Sequence, residues 1–315
     1  MKPKVSICIP AYRQPALLRK VLESVRMQTF QDYELIISDD SPDDAVEVLL
    51  HQFEFKDKLR YSRNTIPLGS PANWNHVISL ANGEYIKMLH TDDFFTSAQS
   101  LAKYVALLDN NPHADIAFSA SEVWSLSTNE KSVYSCSDKH LKRLQSEPEF
   151  LFFKNGIGGP SATIHRNGTK IAYDTNLKWL VDIDFYIGIL QQNKHIAYSN
   201  EPLICTVDGA EGQITQTVSN DKNIQIKEHV ILFNKLLQKN VVVNNSFLLY
   251  FKLLFNKYNI KNIDELNKII SIPSGQTAFY ERVIASLSYG MALERILVKF
   301  YNSSLNKNVL KMEMF

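Results

Sequence analysis

Short apolar runs alternate with helical patterns over the first 110 residues of the chain. Residues 5–9 form an apolar, β-rich run that Pro10 closes, and apolar positions then recur at helical spacing through residues 17–25. Further strands are predicted at 33–37, 59–61 and 84–89, and further helices at about 42–50, 72–81 and 101–108. This alternation predicts an α/β fold, with a mostly parallel sheet covered by helices on both faces.

The pattern changes twice further along the chain. Residues 111–218 contain shorter, mixed elements, with strands predicted at 116–120, 131–134 and 162–164 and a helix from Trp179 to about Gln192. From about residue 220 the pattern is helical only, with helices predicted at 224–239, 246–258, 263–270 and 277–300. We therefore place a domain boundary near residue 218.

Composition narrows the class of protein. The chain has 315 residues, is 45% hydrophobic and 21% charged, and carries a formal net charge of +1. These values are typical of a soluble globular protein, and they lack the basic excess of a nucleic-acid-binding protein, so no nucleic-acid partner is expected. The apolar stretches are shorter than the roughly 18 residues of a membrane span, and no signal-type region is recognised.

The number and spacing of the cysteines bear on the compartment in which the protein is expected. The chain has only three cysteines, Cys8, Cys136 and Cys205, without the spacing of a metal site. We read them as reduced thiols, and we expect a cytoplasmic protein.

Polar clusters follow three of the predicted strands, where ligands bind in sheets of this kind. The clusters are Pro10, Ala11 and Tyr12 after the first strand, Asp39 and Asp40 after the second, and Asp92 and Asp93 after the fourth. Each cluster has an ordinary structural interpretation as well, because aspartate is common in turns and helix caps and a tyrosine can simply pack. The functional interpretation is a nucleoside contact for the first two clusters and a Mg²⁺ or Mn²⁺ site for the third.

Two further carboxylates, Asp182 and Asp184, lie in an otherwise apolar stretch at the start of a predicted helix. Acidic residues are favoured there by the helix dipole, which is the structural interpretation. Burying an unpaired charge is costly, however, and general-base catalysis needs an acidic side chain beside a substrate hydroxyl. The loop after the first strand has neither the glycine pattern of a dinucleotide fold nor a Walker lysine, which disfavours a dehydrogenase or a P-loop enzyme.

Five segments occur together in a characteristic order: VSICIPAY (5–12), LESV with QTF (22–25 and 28–30), YELIISDDS (33–41), ANGEYI (81–86) and TDD (91–93). In these segments the chain resembles the family-2 glycosyltransferases of the GT-A fold, especially bacterial polysaccharide enzymes, over about residues 3–210. The resemblance implies a GT-A catalytic domain at 1–218 and a helical C-terminal domain at 219–315. The nucleotide-binding half of the catalytic domain would be about 1–110, and the acceptor half about 111–218.

The resemblance also implies a role for each nucleotide-side residue. Pro10, Ala11 and Tyr12 would line the uracil pocket of a UDP-sugar, with Tyr12 against the base. Asp40 would accept a hydrogen bond from the uracil N–H, with Asp39 close by.

Metal and catalytic roles follow from the same resemblance. Asp93 would be the direct ligand of Mn²⁺ or Mg²⁺ at the diphosphate, and Asp92 would face the ribose or sugar. Asp182 would take the proton from an acceptor hydroxyl as its oxygen attacks the anomeric carbon, in one displacement that inverts the configuration. The motif is Thr-Asp-Asp and not Asp-x-Asp, and Asp182 lacks the frequent preceding glutamate, so Asp184 remains an alternative base.

Two other features depart from the family's common pattern. The Gln-x-x-Arg-Trp motif of processive members is absent, which favours a transferase that adds one sugar. Residues 207–213 lack the basic or histidine residue that the family often has near the diphosphate. Residues 73–76 either face the donor phosphates or sugar or pack as part of a helix. Residues 158–161 are a candidate segment for shaping the acceptor side of the site.

The expected function is therefore an inverting, metal-dependent hexosyl- or N-acetylhexosaminyltransferase. It would move a sugar from a UDP-sugar to a hydroxyl of a glycan or lipid-linked glycan during O-antigen or capsule synthesis. One alternative is a non-catalytic nucleotide-sugar or glycan-binding protein, and another is a nucleotidyltransferase, which normally has a glycine-rich basic loop after its first strand.

The C-terminal helices are expected to pack on the catalytic domain, form a homodimer or contact the inner face of the bacterial cell membrane. Six lysines would meet anionic headgroups in the last case: Lys252, Lys257, Lys261, Lys299, Lys307 and Lys311. Lysines at such intervals are also typical of a solvated face.

Overall fold

The computed structural model describes residues 2–287. The chain forms two compact units: the first comprises the chain up to Leu151 together with Asn155–Ser219, and the second comprises Phe152–Lys154 together with the chain from Asn220. The end of the helix predicted at 277–300 lies outside the described residues, as do Lys299, Lys307 and Lys311.

One mixed sheet of nine strands organises the described part of the first unit. The strands are β1 (Val5–Ala11), β2 (Tyr33–Asp39), β3 (Leu59–Arg63), β4 (Tyr85–Met88), β5 (Asp93–Phe95), β6 (Ile116–Ser125), β7 (Lys131–Tyr134), β8 (Thr163–Arg166) and β9 (Ile196–Asp208). Their spatial order is β3-β2-β1-β4-β8-β6-β9-β5, and β7 pairs with β6.

Strand direction divides the sheet into two halves. β3, β2, β1 and β4 are parallel neighbours, as the alternating sequence pattern predicts. β8 is antiparallel to both β4 and β6, β5 is antiparallel to β9, and only the β6–β9 pair restores the parallel direction. The α/β prediction is confirmed, but "mostly parallel" describes the first four strands and not the whole sheet.

Helices cover this sheet. They are α1 (Pro15–Arg26), α2 (Ala45–Leu50), α3 (Ala72–Ser79), α4 (Ser100–Asp109), α5 (Asp138–Ser146), α6 (Val181–Gln192) and α7 (Ile214–Val218), with short 3₁₀ helices at Lys56–Lys58, Pro148–Phe152 and Pro160–Ala162. In α1, Leu18, Val21, Leu22 and Val25 have no exposed surface and pack into the same core as β1 and β2.

Three elements, β5, β9 and α5, were not predicted from the sequence. β9 contains Asn200, Glu201 and Pro202, which read as turn residues. The structure accommodates them because the pairing of β6 with β9 shifts register around Ala120, which lies opposite Pro202. β5 has only three residues, and its pairing with β9 comes from distant sequence.

The second unit is helical in its described part. Its helices are α8 (Lys222–Gln238), α9 (Asn245–Lys257), α10 (Ile263–Asn267) and α11 (Thr277–Ser286), with a 3₁₀ helix at Ser274–Gln276. Its core is aromatic, and Phe233, Phe247, Phe251, Phe255 and Tyr280 have at most 1% of their surface exposed. The side chains of Asp221, Asn244 and Asn262 cap the first three helices.

No helix within residues 2–287 has the length and apolar character needed to span a bilayer. The three cysteines are free and buried.

Candidate active site

The loop after β1 combines an exposed aromatic ring with a strained backbone. Tyr12 has 51% of its surface exposed, and the guanidinium carbon of Arg13 lies 5.1 Å from the centre of its ring. Arg13 and Gln14 have φ values of 56° and 55°, in the left-handed region that residues with a side chain rarely adopt. The N–H of Arg13 donates to Ser41 Oγ at 2.7 Å, which helps to hold this conformation. Tyr12 therefore does not pack into the core, and its ring is free to stack on a ligand.

Asp39 lies at the end of β2 and has no exposed surface. Its Oδ2 accepts a hydrogen bond from the Tyr61 hydroxyl at 3.0 Å, and its Oδ1 accepts one from the N–H of Ser41 at 2.8 Å. Asp39 thus supports the loop that carries Arg13, because Ser41 bonds both residues.

Asp40 is nearly as buried, and it anchors the loop that follows β3. Its Oδ1 accepts hydrogen bonds from Asn64 Nδ2 at 2.7 Å and from the N–H of Leu68 at 3.1 Å, and its Oδ2 accepts one from the N–H of Gly69 at 2.8 Å. Gly69 has φ +73°, which explains a glycine at this turn. The helix-cap interpretation of the acidic pair is wrong, because α2 begins at Ala45 and Asp44 precedes it.

Asp92 and Asp93 occupy different environments although they are adjacent. Asp92 is half-buried, and its Oδ2 accepts a hydrogen bond from Gln213 Nε2 at 2.7 Å. Its Oδ1 has no hydrogen-bond partner among the described residues. Asp93 begins β5, is 7% exposed, and is hydrogen-bonded by the Ser161 side chain. Of the two carboxylates, Asp92 is the more accessible.

A buried lysine lies beside Asp93. Lys87 of β4 has no exposed surface, and its Nζ donates to the carbonyl oxygens of Ser161 and, at 3.1 Å, of Thr163. Its ammonium group is 4.2 Å from the ring centre of Tyr104. Burial lowers the pKa of Lys87 to about 7, although the charge of Asp93 opposes this shift. Burial raises the pKa of the Asp93 carboxyl well above its ordinary value, and Asp92 raises it further.

Three aromatic side chains connect α3 with the loop after β4. The ring centre of Trp74 lies 4.6 Å from that of His90 and 5.2 Å from that of Tyr173, edge-on. Tyr173 stacks on Phe185 of α6 at 4.1 Å. Asn75 exchanges two hydrogen bonds with the backbone of Tyr173, at 2.8 and 2.9 Å, so it packs.

Asp182 lies in the first turn of α6, close to this aromatic group. Its Oδ1 accepts the N–H of Ile183 at 2.9 Å, and the Asn155 side-chain nitrogen lies 3.4 Å from its Oδ2. Burial raises the pKa of the Tyr173 hydroxyl, and the charge of Asp182 raises it further. Asp184 projects from a different side of α6, because residues two apart on a helix do not share a face.

Residues 155–161 run from Asp182 to the acidic pair. Asn155 Oδ1 accepts the N–H groups of Ile157 and Gly158, both at 3.0 Å. Gly158 has φ +96°, which favours glycine, and its carbonyl oxygen accepts the Tyr186 hydroxyl at 3.1 Å. At the other end, Ser161 Oγ accepts the N–H of His90 at 2.9 Å and bonds Asp93.

One contact route therefore connects Asp182 with the loop that carries Asp92, and it passes through residues 155–161. The rings of Tyr173, Trp74 and His90 contact one another, and the charge of Asp182 acts on the Tyr173 hydroxyl. The Tyr12 loop joins the same region because Gln14 Nε2 donates to the carbonyl oxygen of Glu211, close to Gln213.

Several residues of this site were not predicted from the sequence: Lys87, Asn155, Tyr173 and Gln213. Lys87 carried a usable signal, since a lysine within an apolar strand needs buried partners. The others are polar or aromatic residues in loops, and their sequence context resembles that of many residues without such contacts.

The oxygen donors near the end of β4 suit a hard divalent cation. Within residues 2–287, no three His, Cys, Asp or Glu side chains converge as a closed metal site. Mg²⁺ and Mn²⁺, however, are commonly held by one or two carboxylates plus phosphate oxygens. The unpartnered oxygen of Asp92 fits a cation that arrives with a phosphate-bearing ligand.

Comparison with known proteins identifies the class. The family model described as Glycosyl transferase family 2 matches residues 6–160, which include every strand-end cluster described above. Over residues 6–160, the chain belongs to this family of glycosyltransferases.

Relatives carry the same name. An uncharacterized glycosyltransferase of Methanocaldococcus jannaschii is 30% identical over 59% of this chain, and the alignment spans only 64% of that protein. An uncharacterized glycosyltransferase of Haemophilus influenzae is 27% identical over 80% of this chain and 85% of its own length. The Campylobacter jejuni GalNAc(5)-diNAcBac-PP-undecaprenol β-1,3-glucosyltransferase is 34% identical over 29% of this chain and 30% of its own length.

Solved structures share the fold. S. aureus TarS 1–349 in complex with UDP-GlcNAc has a TM-score of 0.61 and 16% identity, covering 90% of this chain and 80% of the TarS 1–349 chain. A mannosyltransferase of Pyrobaculum calidifontis in complex with GDP-Man and Mn²⁺ has a TM-score of 0.53 and 16% identity, covering 98% and 82%. At this identity the likeness shows the fold alone, and the expected GT-A-type fold is confirmed.

Proposed function

We propose that the protein is an inverting, metal-dependent glycosyltransferase that moves a hexosyl or N-acetylhexosaminyl group from a UDP-sugar to an acceptor hydroxyl. The observation that carries this proposal is the contact route through residues 155–161 between Asp182 and the Asp92 loop. The reaction needs a base beside the acceptor hydroxyl and a carboxylate beside the donor diphosphate, on opposite sides of the anomeric carbon. The contact of Asp182 with Asn155, which begins the loop that leads to Ser161, supports Asp182 as that base.

On the donor side, the exposed ring of Tyr12 offers a stacking surface for a nucleobase. Pro10 and Ala11, which precede it at the end of β1, would complete this side of the pocket. Asp40 holds the loop at Leu68 and Gly69 through its two carboxylate oxygens, and we assign to it the hydrogen bond from a base N–H, with Asp39 close by. A UDP-sugar is the donor we propose, and the structural neighbour TarS has been solved in complex with UDP-GlcNAc.

On the metal side, we assign the direct contact to Asp92 and not to Asp93, which reverses the expectation from the sequence. Asp93 is enclosed by Lys87 and Ser161, whereas Asp92 has an unpartnered oxygen. Asp93 would then stabilise the loop that carries Asp92 through its hydrogen bond with Ser161. When bound, Mn²⁺ or Mg²⁺ would offset the negative charge that builds on the leaving diphosphate.

The chemistry follows from the placement of the side chains. Asp182 accepts the proton of the acceptor hydroxyl as that oxygen forms a bond to the anomeric carbon and the bond to the diphosphate breaks. The new bond forms opposite the leaving group, so the configuration inverts and no sugar is attached to the protein. Trp74 and Tyr173 provide an apolar wall that limits the access of water to this region.

We further propose that the acceptor is a glycan or lipid-linked glycan of a bacterial surface polysaccharide, made at the cytoplasmic face of the membrane. The relative that acts on an undecaprenol-linked glycan supports this class of acceptor. The helical residues after 219 would then contact the membrane or a second subunit, and the catalytic residues would lie in 1–218.

The test is a donor screen that follows released nucleotide. UDP-, GDP- and TDP-sugars are each incubated with Mn²⁺, with EDTA, and with the Asp92→Asn variant. We expect turnover with a UDP-sugar that EDTA and Asp92→Asn both reduce at least tenfold. UDP binding that is indifferent to Mn²⁺, with no turnover of any donor, would instead favour the non-catalytic binding protein.

A further inference from the structure

The segment between β9 and α7 contacts two separate loops of the candidate site. We call residues 208–213 the strap. Gly209 and Gly212 have φ values of 88° and 80°, and these left-handed turns direct the strap toward the site. Gln14 Nε2 donates to the carbonyl oxygen of Glu211, and Gln213 Nε2 donates to Asp92.

Hydrogen bonds at both its oxygen and its nitrogen fix the orientation of the Gln213 side-chain amide. Its Oε1 accepts the N–H groups of Gly209 and Ala210, both at 3.1 Å. Its Nε2 donates to the carbonyl oxygen of Val207 at 2.6 Å and to Asp92 Oδ2 at 2.7 Å. Because two backbone donors face the oxygen, the nitrogen must face the carboxylate.

This arrangement restricts the Asp92 carboxylate. One oxygen is held by a charge-assisted hydrogen bond, and the other is left without a partner among residues 2–287. An aspartate without such a bond rotates between several orientations, and part of its binding energy is then lost in fixing one of them.

We propose that Gln213 is a positioning residue that holds Asp92 so that a single oxygen, Oδ1, faces the donor complex. The strap also couples Asp92 to the Tyr12 loop through Gln14. This inference rests on the proposed function, because it requires Asp92 to meet the donor.

Steady-state kinetics of the full chain with a UDP-sugar test the proposal, together with calorimetric titration of Mn²⁺ in the presence of UDP. Gln213→Ala is expected to raise the donor KM and weaken Mn²⁺ binding about 10- to 100-fold, with the acceptor KM unchanged. Gln213→Glu is expected to be worse, because it places a second negative charge against Asp92. The control is Gln216→Ala, since Gln216 is an exposed glutamine in the adjoining α7.

A double-mutant cycle separates positioning from general damage. If Gln213 acts through Asp92, the Asp92→Asn/Gln213→Ala variant loses no more donor affinity than Asp92→Asn alone. Additive losses of donor affinity in the double variant would overturn the inference. A Gln213→Ala variant with an unchanged donor KM, whose lower kcat is explained by a lower thermal midpoint, would overturn it as well. If Asp92→Asn is impaired but Gln213→Ala behaves as wild type, this inference fails alone. Wild-type donor KM in Asp92→Asn would remove both it and the proposed donor site.

Discussion

The side-chain nitrogen of Asn155 lies 3.4 Å from Asp182 Oδ2, and the oxygen of the same amide accepts the N–H groups of Ile157 and Gly158. The amide thus joins the candidate base to the loop that leads to Ser161. It also has only one orientation that satisfies both sides. Asn155 is therefore placed to hold the Asp182 carboxylate, and its amide does not compete with Asp182 for the proton of the acceptor hydroxyl.

Asn155→Ala is expected to lower kcat by up to about 100-fold, because a displaced base loses its alignment with the acceptor hydroxyl. Asn155→Asp places a like charge beside Asp182 and is expected to move the acidic limb of the kcat–pH profile to higher pH. Asn110→Ala, at an exposed position after α4, is the control. An unchanged pH profile for Asn155→Asp would remove the contact from the catalytic scheme.

Lys87 is expected to be one of the most sensitive positions for stability. Lys87→Met removes the donor to two carbonyl oxygens and leaves Asp93 buried without its cation, at a cost of about 2–5 kcal/mol in the free energy of unfolding. The matched variant is Lys103→Met, which breaks an exposed ion pair with Glu201 and costs less than about 1 kcal/mol. Guanidinium unfolding compares the two, and equal losses would contradict the buried role.

Gly83 is expected to reject any side chain. A Cβ there would lie 2.4 Å from the Ser6 nitrogen and 2.7 Å from Ser6 Oγ, so Gly83→Ala must displace the turn from β1. We expect a loss of about 1–3 kcal/mol in the free energy of unfolding. Gly159→Ala has nothing within 4 Å of its new carbon and should be near neutral. A neutral Gly83→Ala would show that the turn does not pack as described.

His229 is expected to make stability depend on pH. Burial, together with the charge of Lys257, lowers its pKa from 6.5 to about 4, although the hydrogen bond with the Gln225 carbonyl oxygen opposes this shift. Its Nε2 pairs with the Tyr250 hydroxyl at 2.7 Å. The unfolded chain takes up a proton below pH about 6.5 and the folded chain only near pH 4. Stability is therefore lost as pH falls through this window, by about 1.4 kcal/mol per pH unit. Denaturation midpoints at pH 7 and pH 5 should differ less for His229→Gln than for wild type, and equal differences would contradict this assignment.

The sequence predicted what depends on local pattern. The strands β1, β2 and β4, the helices α1 and α6, and the clusters at strand ends all follow from apolar periodicity and from the rule that ligands bind at the carboxyl ends of parallel strands. The family resemblance added the choice among the aspartates and the expected nucleotide.

What the sequence did not predict depends on contacts between distant residues. The difference in burial between Asp92 and Asp93 arises because β5 pairs with β9, more than a hundred residues away. The same pairing partner ends at the strap that brings Gln213 to Asp92. Residue type and spacing contain no signal for either contact. The expectation that Asp93 binds the metal directly therefore could not take the burial of Asp93 into account.

The most direct measurement compares single-turnover rates of Asp182→Asn and Asp184→Asn, with UDP affinity measured on the same samples. We predict that Asp182→Asn slows sugar transfer by about 10²- to 10⁴-fold while UDP binds as to wild type, and that Asp184→Asn transfers at close to the wild-type rate. Sugar transfer by Asp182→Asn at the wild-type rate would contradict the role of this carboxylate as the base.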